Sequence, residues 1–494
     1  QSFGPGSFRL LDKLGSGAQA RANITSERNF VTRITVGWLA PALGMTMCLA
    51  AAEEFPLEFR TVPAKEVMAF PGGSGISAML RPAKAAGIKR EPKAASPQAL
   101  YGEWRTGAGK ALCVFRLDES EGKGKGYDRL IVDANRNGDL TDDPVVGRVP
   151  LPTDRRPTSS ATTESALFGP IELAVEGLFP GARPVYHAQL HVYNRAAISG
   201  LRSANGQMLA LLIGQLRLKA GWYLDTTVEV AGARLKLGVY DGDASLSLGE
   251  AAQPQLYKSS AQTNWFFRPG DSLLVDADGS GAFESDPFQA EAAPFGPLLY
   301  TGARPLRVEW GPRCRSLRVE PWTQPLAEVT LEPRGKEVRN VSLGWQQADG
   351  NWHLLRAGAV GGKILVPPGQ YRFYACTLLG ESPGRQPVMV SGSQRLFQEP
   401  LRFDAVAPAQ LRCGAPLEIE LTADKRSATT SIPPKTASDS DFVLRIGARV
   451  VGAAGEVYSV FGTGQQFRED PPKPVFTVTD AQGKRLANGN LEFG

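Results

Sequence analysis

Histidine is almost missing from this chain. Only His187, His191 and His353 occur in 494 residues, and no H-E-x-x-H pair exists. His187 and His191 lie in "VYHAQLHVY", which alternates as a strand does. Four residues along a strand is roughly 13 Å, too far for one ion, so both are expected to be structural. Cysteine is also sparse, five in all, and the spacing fits no zinc site. The phosphate loop and the dinucleotide glycine fingerprint are absent. "FPGGSGISA" has the glycines of a phosphate loop without its Lys and Ser/Thr, and reads as an ordinary turn.

A charge bias is lacking too. Lys and Arg number 55 against 50 Asp and Glu. Five of the basic residues (Arg9, Lys13, Arg21, Arg28, Arg33) and only Asp12 and Glu27 fall in residues 1–52, so the remainder stands at 50 against 48. That balance argues against a nucleic-acid partner or an electrostatically held membrane surface. Long apolar runs are missing after residue 52. The single candidate, Ile34 to Ala52, follows Arg33 and ends in "LAAA", the layout of a secretory signal peptide. Cleavage near Glu53 is expected, with a membrane anchor as the alternative. The mature protein would then be exported, to the periplasm, cell surface or medium, with no integral span. Four cysteines would remain: Cys113, Cys314, Cys376 and Cys413. Cys376 and Cys413 are the favoured disulfide pair in an oxidising compartment, and four buried thiols are the alternative.

No helical period is sustained. Glycine (54) and proline (37) are spread throughout, which favours short strands and turns. The expected fold is all-β and multidomain: a leader over 1–52, β units over 53–180 and 181–305, then β-sandwiches over 306–400 and 401–494. The first two units read as a duplication. "KALCVFRLDES" corresponds to "ARLKLGVYDGDAS", and "YDRLIVDANRNGDLTDDP" to "GDSLLVDADGSGAFESDP". The eight tryptophans are scattered and read as core residues, with sugar stacking as the alternative.

The duplicated loops carry the clearest chemistry. Calcium takes six to eight oxygens at about 2.3–2.6 Å, and a 12-residue loop supplies them from alternate positions around a glycine at position 6. In the first loop Asp133, Asn135, Asn137 and Gly138 fill positions 1, 3, 5 and 6. Asp139 offers its carbonyl, Leu140 is the apolar plug and Thr141 stands at position 9. In the second, Asp276, Asp278, Ser280 and Gly281 match, with Phe283 as plug and Glu284 at position 9. Position 12 is proline in both, Pro144 and Pro287, and Asp143 or Asp286 precedes it. Two calcium ions are therefore expected, one per loop. The amide-richer first site should be the weaker, and both should bind only at extracellular-module strength. Hairpin tips are the plain alternative. Asp118, Glu119 and Glu121, and likewise Asp241 and Asp243, stand nearby and read as solvated turn residues, with outer-ligand roles as the alternative.

These loops resemble EF-hand loops, closer to the helix-free loops of extracellular repeats. "ILVPPGQYRFYA" resembles the hairpin of transthyretin-like and carboxypeptidase-regulatory-like sandwiches, where a PPG-x-Y turn leads into an edge strand. The last unit resembles an immunoglobulin-like sandwich. As a whole the chain resembles exported bacterial β-rich proteins with duplicated loops of this kind. That resemblance implies location and architecture, and no mechanism. The expected role is a calcium-stabilised structural or interaction module at the cell envelope, meeting polysaccharide or another envelope protein. A glycan hydrolase is the rival and would need a cleft with two carboxylates ~5–10 Å apart. A carbohydrate-binding array would need a flat row of exposed Trp and Tyr.

Overall fold

The computed structural model describes residues 53–490 apart from a set of connecting segments, the longest being 151–163, 193–212, 284–290, 428–441 and 464–474. The leader lies outside the described residues. Strand makes up 56% of the structure against 2% helix, as alternation and turn density require. Among the described residues no helix is long and apolar enough to cross a membrane.

The chain divides into two compact units. One holds Ala52–Cys376 and Gln394–Leu411; the other holds Thr377–Ser393 and Arg412–Gly494.

Within the first unit the duplication is visible strand by strand. Leu100–Arg105, Ala111–Asp118, Arg129–Val132 and Val145–Gly147 form one antiparallel meander. Trp222–Val230, Ala233–Tyr240, Ser272–Val275 and Ala292–Pro294 form the other. The registers match. Phe115 lies opposite Val132 in the first copy and Leu237 opposite Val275 in the second, one residue before each acidic loop.

Early strands cross between the copies. Glu58–Thr61 pairs with Trp222–Val230 at the edge of the second sheet. Ile76–Met79 joins Gly214–Ala220, Val185–Val192 and Glu164–Glu172 in a further sheet. Glu53–Pro56 pairs with Ser316–Pro321. The expected division at 180/181 thus falls between two strands of one sheet. A single large core, including Trp104, Phe115, Tyr186, Trp222 and Tyr240, joins these sheets. Trp104, Trp222 and Trp345 are buried, as core tryptophans should be.

"PPGQ" joins Lys363–Val366 of one sheet to Gly369–Glu381 of another. Proline cannot donate to a ladder, so the pair ends one strand and lets the chain cross. The strand that follows is not an edge strand. It pairs with Val338–Gln346 and also with Leu401–Phe403. Tyr371 anchors the corner, donating to the Pro367 carbonyl and packing its ring 4.9 Å from Phe403.

In the second unit Pro387–Ser393, Val457–Thr463, Phe442–Val451 and Glu418–Ser427 form an antiparallel sheet. The buried Glu456 carboxylate closes its turn, accepting from the Gly414 and Ala454 amides and the Tyr458 hydroxyl. No disulfide forms among Cys113, Cys314, Cys376 and Cys413. Cys113, Cys376 and Cys413 are buried in the apolar interior and Cys314 is half-buried. The favoured Cys376–Cys413 bridge is not made.

Candidate metal centres

Both acidic loops sit where the third strand of a repeat turns back into the fourth. The loop begins with a buried aspartate whose amide is already held by the neighbouring strand: Asp133 N–H to the Val114 carbonyl and Asp276 N–H to that of Lys236, each at 3.0 Å. Its carboxylate then reaches across the loop. Asp133 Oδ2 accepts from the Gly138 amide at 2.9 Å, and Asp276 Oδ2 from the Gly281 amide at 2.8 Å. The chain can wrap so tightly because positions 4 and 6 are left-handed in both copies. Arg136 and Gly138 have φ of 62° and 81°, Gly279 and Gly281 of 75° and 82°. The plugs also match: Leu140 and Phe283 are buried, Leu140 on Ile88, Val114 and Ile131, Phe283 edge-on to Tyr223.

In the first loop successive side-chain oxygens turn inward onto the backbone. Asn135 Oδ1 accepts from the Asn137 amide at 3.1 Å, and Asn137 Oδ1 from that of Asp139 at 2.6 Å. The Asp139 carboxylate is engaged outside, with Thr141 and with Arg90 at 2.9 Å. Among the described residues its carbonyl, the expected ligand, accepts no hydrogen bond. Asp143 closes the loop by accepting from the Ala134 amide at 3.1 Å. Its other oxygen, Oδ2, is buried and has no hydrogen-bond partner. Burial, and then the charges of Asp133, Asp142 and Asp139, push the Asp143 carboxyl up to about 6. Asp142, passed over in the sequence, accepts from the side-chain amides of both Asn135 (3.2 Å) and Asn137 (2.8 Å).

The second loop repeats this pattern where it is described. Ser280 Oγ accepts from the Ala282 amide at 3.3 Å, the same position-5 to position-7 link as Asn137 to Asp139. Asp276 Oδ1 is buried without a hydrogen-bond partner. Lys236 donates to the Gly281 carbonyl at 2.7 Å and lies over the Phe283 ring. Asp278, Glu284 and Asp286 lie outside the described residues.

A third cluster appears at the other end of the strand that leads into the second loop. Asp241, Asp243 and Asp271 are buried, and each offers a carboxylate oxygen within 4.8 Å of the others, so this triad could hold a metal ion. It is the only such group of three His, Cys, Asp or Glu among the described residues. The first loop falls outside that pattern because its inward oxygens are mostly amide and carbonyl. Register places Asp241 where the first copy has Glu119, and Asp271 where it has Asp128. Glu119 is spent on the Gly124 and Gly126 amides and the Ser96 hydroxyl, and Asp128 on Ser120. The second copy instead gathers its acids. Tyr186 donates to Asp241 at 2.6 Å, the Ser245 amide to Asp241 and Asp243, and the Gly249 amide to Asp271. Burial, then the Asp243 charge, hold the Asp241 carboxyl above its ordinary range. Closely spaced buried carboxylates favour a proton or a cation between them.

The segment "FPGGSG" covers the triad's turn. Gly75 N–H bonds to the Gly242 carbonyl at 3.0 Å, and Ser272 donates to the Gly72 carbonyl. A Cβ on Gly242 would lie 2.7 Å from the carbonyls of Gly72 and Gly270. These glycines serve close packing.

The acids expected to be solvated are mostly not. Asp118, Glu119, Asp241 and Asp243 are buried, and only Glu121 is exposed. Backbone amides make this possible: the Asp118 carboxylate alone accepts from Ala95, Ser96 and Glu119. His187 and His191 share one strand, facing Lys219 and Gln215. Burial pushes His187 down to about 4. No protein-family model, no curated protein and no solved structure matches this chain.

Proposed function

We propose that the chain is an exported β protein whose two acidic loops each bind calcium, and that it serves as a structural or interaction module at the cell envelope. One observation carries the loop reading. Two loops 143 positions apart share the same glycine clamp and the same left-handed positions. Each also keeps a buried carboxylate oxygen without a donor, Asp143 Oδ2 in one and Asp276 Oδ1 in the other. A buried acceptor without a donor costs about 1–3 kcal/mol, and a cation at that point would remove the cost. Asp133, Asn135, Asn137, the Asp139 carbonyl and Asp143 would hold the first ion. Asp276, Asp278, Ser280, Glu284 and Asp286 would hold the second. The Asp241–Asp243–Asp271 triad would be a further cation position, at the other end of the strand Ser272–Val275.

The remaining reading rests on other support. Export rests on the leader. The cleft beside Val338–Gly358 is lined, among the described residues, by Arg339, Arg356, Asn340, Thr301, Tyr300 and apolar residues, and so shows no carboxylate pair of the kind a glycan hydrolase needs. The large apolar residues exposed among the described residues include no Trp or Tyr, so a sugar-stacking row is not formed by them.

The test is metal analysis of the mature protein, followed by thermal unfolding with and without calcium. With a dissociation constant on the order of 10⁻³ M, about 10 mM calcium adds about 1.4 kcal/mol per site. That is about 2 °C per site for a unit of this size. Asp133→Ala and Asp276→Ala should each remove part of the rise. No calcium-dependent rise, and no heat on titration at millimolar calcium, would leave the loops as plain hairpin tips.

A further inference from the structure

A cleft of about 300 Å³ lies between the second repeat sheet and the hairpin Val338–Gln346/Trp352–Gly358. On the sheet side Val275, Leu298 and Leu299 line it, and the exposed Val360 stands at its rim. The hairpin side carries Leu354, Arg356 and Arg339, and no carboxylate is among the described lining residues. Among the described residues neither arginine makes an ion pair. Arg356 has one long hydrogen bond, 3.4 Å from Nη1 to the Ala292 carbonyl. Tyr300 also lines the cleft, and its buried hydroxyl has no hydrogen-bond partner.

Arg356 is a half-buried guanidinium without a counter-charge among the described residues, and the exposed Arg339 adds a second positive charge to the same cleft. A partly buried cation loses hydration and normally recovers it from an acid. Here a second cation stands nearby instead. Burial first, and then the Arg339 charge, bring Arg356 down to about 10. Arginine's planar fork matches a carboxylate in two parallel hydrogen bonds. Pockets of this size bind small molecules through apolar walls and a few convergent polar groups.

We propose that this cleft binds an amphipathic monocarboxylate, with its carboxylate between Arg356 and Arg339 and its apolar chain along Leu298, Leu299 and Leu354. The bound anion neutralises the paired arginines, and the chain covers apolar surface otherwise open at the rim.

The test is calorimetric titration of the full chain with octanoate, octanol and octylammonium, in metal-free buffer so that the acidic loops play no part. Octanoate should bind, octanol about tenfold more weakly or worse, and octylammonium not at all, reflecting the charge-assisted contacts. Arg356→Gln should weaken octanoate by about tenfold or more, and Arg356→Lys by less. Arg339→Glu, at an exposed position where folding is not at risk, should place a carboxylate beside Arg356 and abolish octanoate binding. Equal affinity for octanoate and octanol would overturn the proposal. So would no octanoate binding by the unaltered chain, or full binding by Arg339→Glu.

Discussion

Adding one methyl group to each loop tests the packing of both. Gly138 and Gly281 occupy the same position and nearly the same backbone conformation, φ 81° and 82°. An L-residue in that region costs about 1–2 kcal/mol, so Gly281→Ala should lose about that much. Its Cβ meets nothing within 4 Å. At Gly138 the new Cβ would lie 2.6 Å from the Gly87 carbonyl oxygen. That carbonyl belongs to a segment docked on the loop, with the Lys89 and Arg90 amides bonded to the Gly138 carbonyl and the Leu140 amide to that of Arg90. The segment must shift, adding about 1–3 kcal/mol of overpacking. Gly138→Ala should therefore be about twice as costly as Gly281→Ala, in urea unfolding followed by tryptophan fluorescence in chelator, at unchanged m-value. If Gly281→Ala proves as damaging as Gly138→Ala, the buttress does not carry the difference and the reasoning fails.

Two pH effects with opposite signs follow. Asp143 is raised to about 6 by burial and three neighbouring aspartates, above an unfolded value of about 3.9. The metal-free protein should therefore lose stability as pH rises from about 4 to about 6. After discounting for solvent screening the effect is about 1 kcal/mol or less. Asp143→Asn should flatten that window in urea melts, and an unchanged profile would refute the assignment. His187 is lowered to about 4 by burial, so its contribution is present above about pH 6.5 and is lost as pH falls toward 4, at most about 3 kcal/mol. A proton-insensitive replacement, His187→Gln, should remove that slope. NMR titration of the ring with a midpoint near 6.5 would contradict it. Export predicts that the envelope-fraction protein begins near Glu53 on N-terminal sequencing; residues 1–40 still attached would favour an anchor.

Local pattern carried much of this molecule. Alternation marked the strands, and the spacing of Asp133, Asn135, Asn137 and Gly138 marked a wrapped loop, because those preferences act within a dozen residues. The fate of the neighbouring acids was not legible. Asp118 and Asp241 look solvated in sequence because charge normally stays in water. They are buried because amides from Ala95 and Ser96, and from Ser245 and Leu246, converge on them. Asp271 was passed over for a similar reason. It stands 28 positions after Asp243, and only the strand pairing of Tyr240 with Ser272 brings the two together. "FPGGSG" reads as a turn, and nothing local reveals that Tyr240 and Gly242 need its glycines bare. The signal that could have found the triad was the comparison of copies: both carry acids at the same three places, Glu119, Glu121 and Asp128 in the first and Asp241, Asp243 and Asp271 in the second.

The early strands also set the order in which this molecule can be completed. Phe55 pairs with Leu317, Phe59 with Leu224 and Ala78 with Leu216. A ribosome or a secretion channel delivering the chain from its N-terminus must release some 260 residues between the first and last of these partners. Two of these edges are covered once residues 216–224 have emerged, and the edge at Phe55 stands open until residue 317, a state prone to pairing with other chains. No truncation between residues 62 and 316 leaves a closed unit. The first acidic loop sits in a meander complete by residue 147, and the second in a sheet whose edge strand, Glu58–Thr61, was made long before it, so an ion held in the second would stabilise the long-range closure more directly.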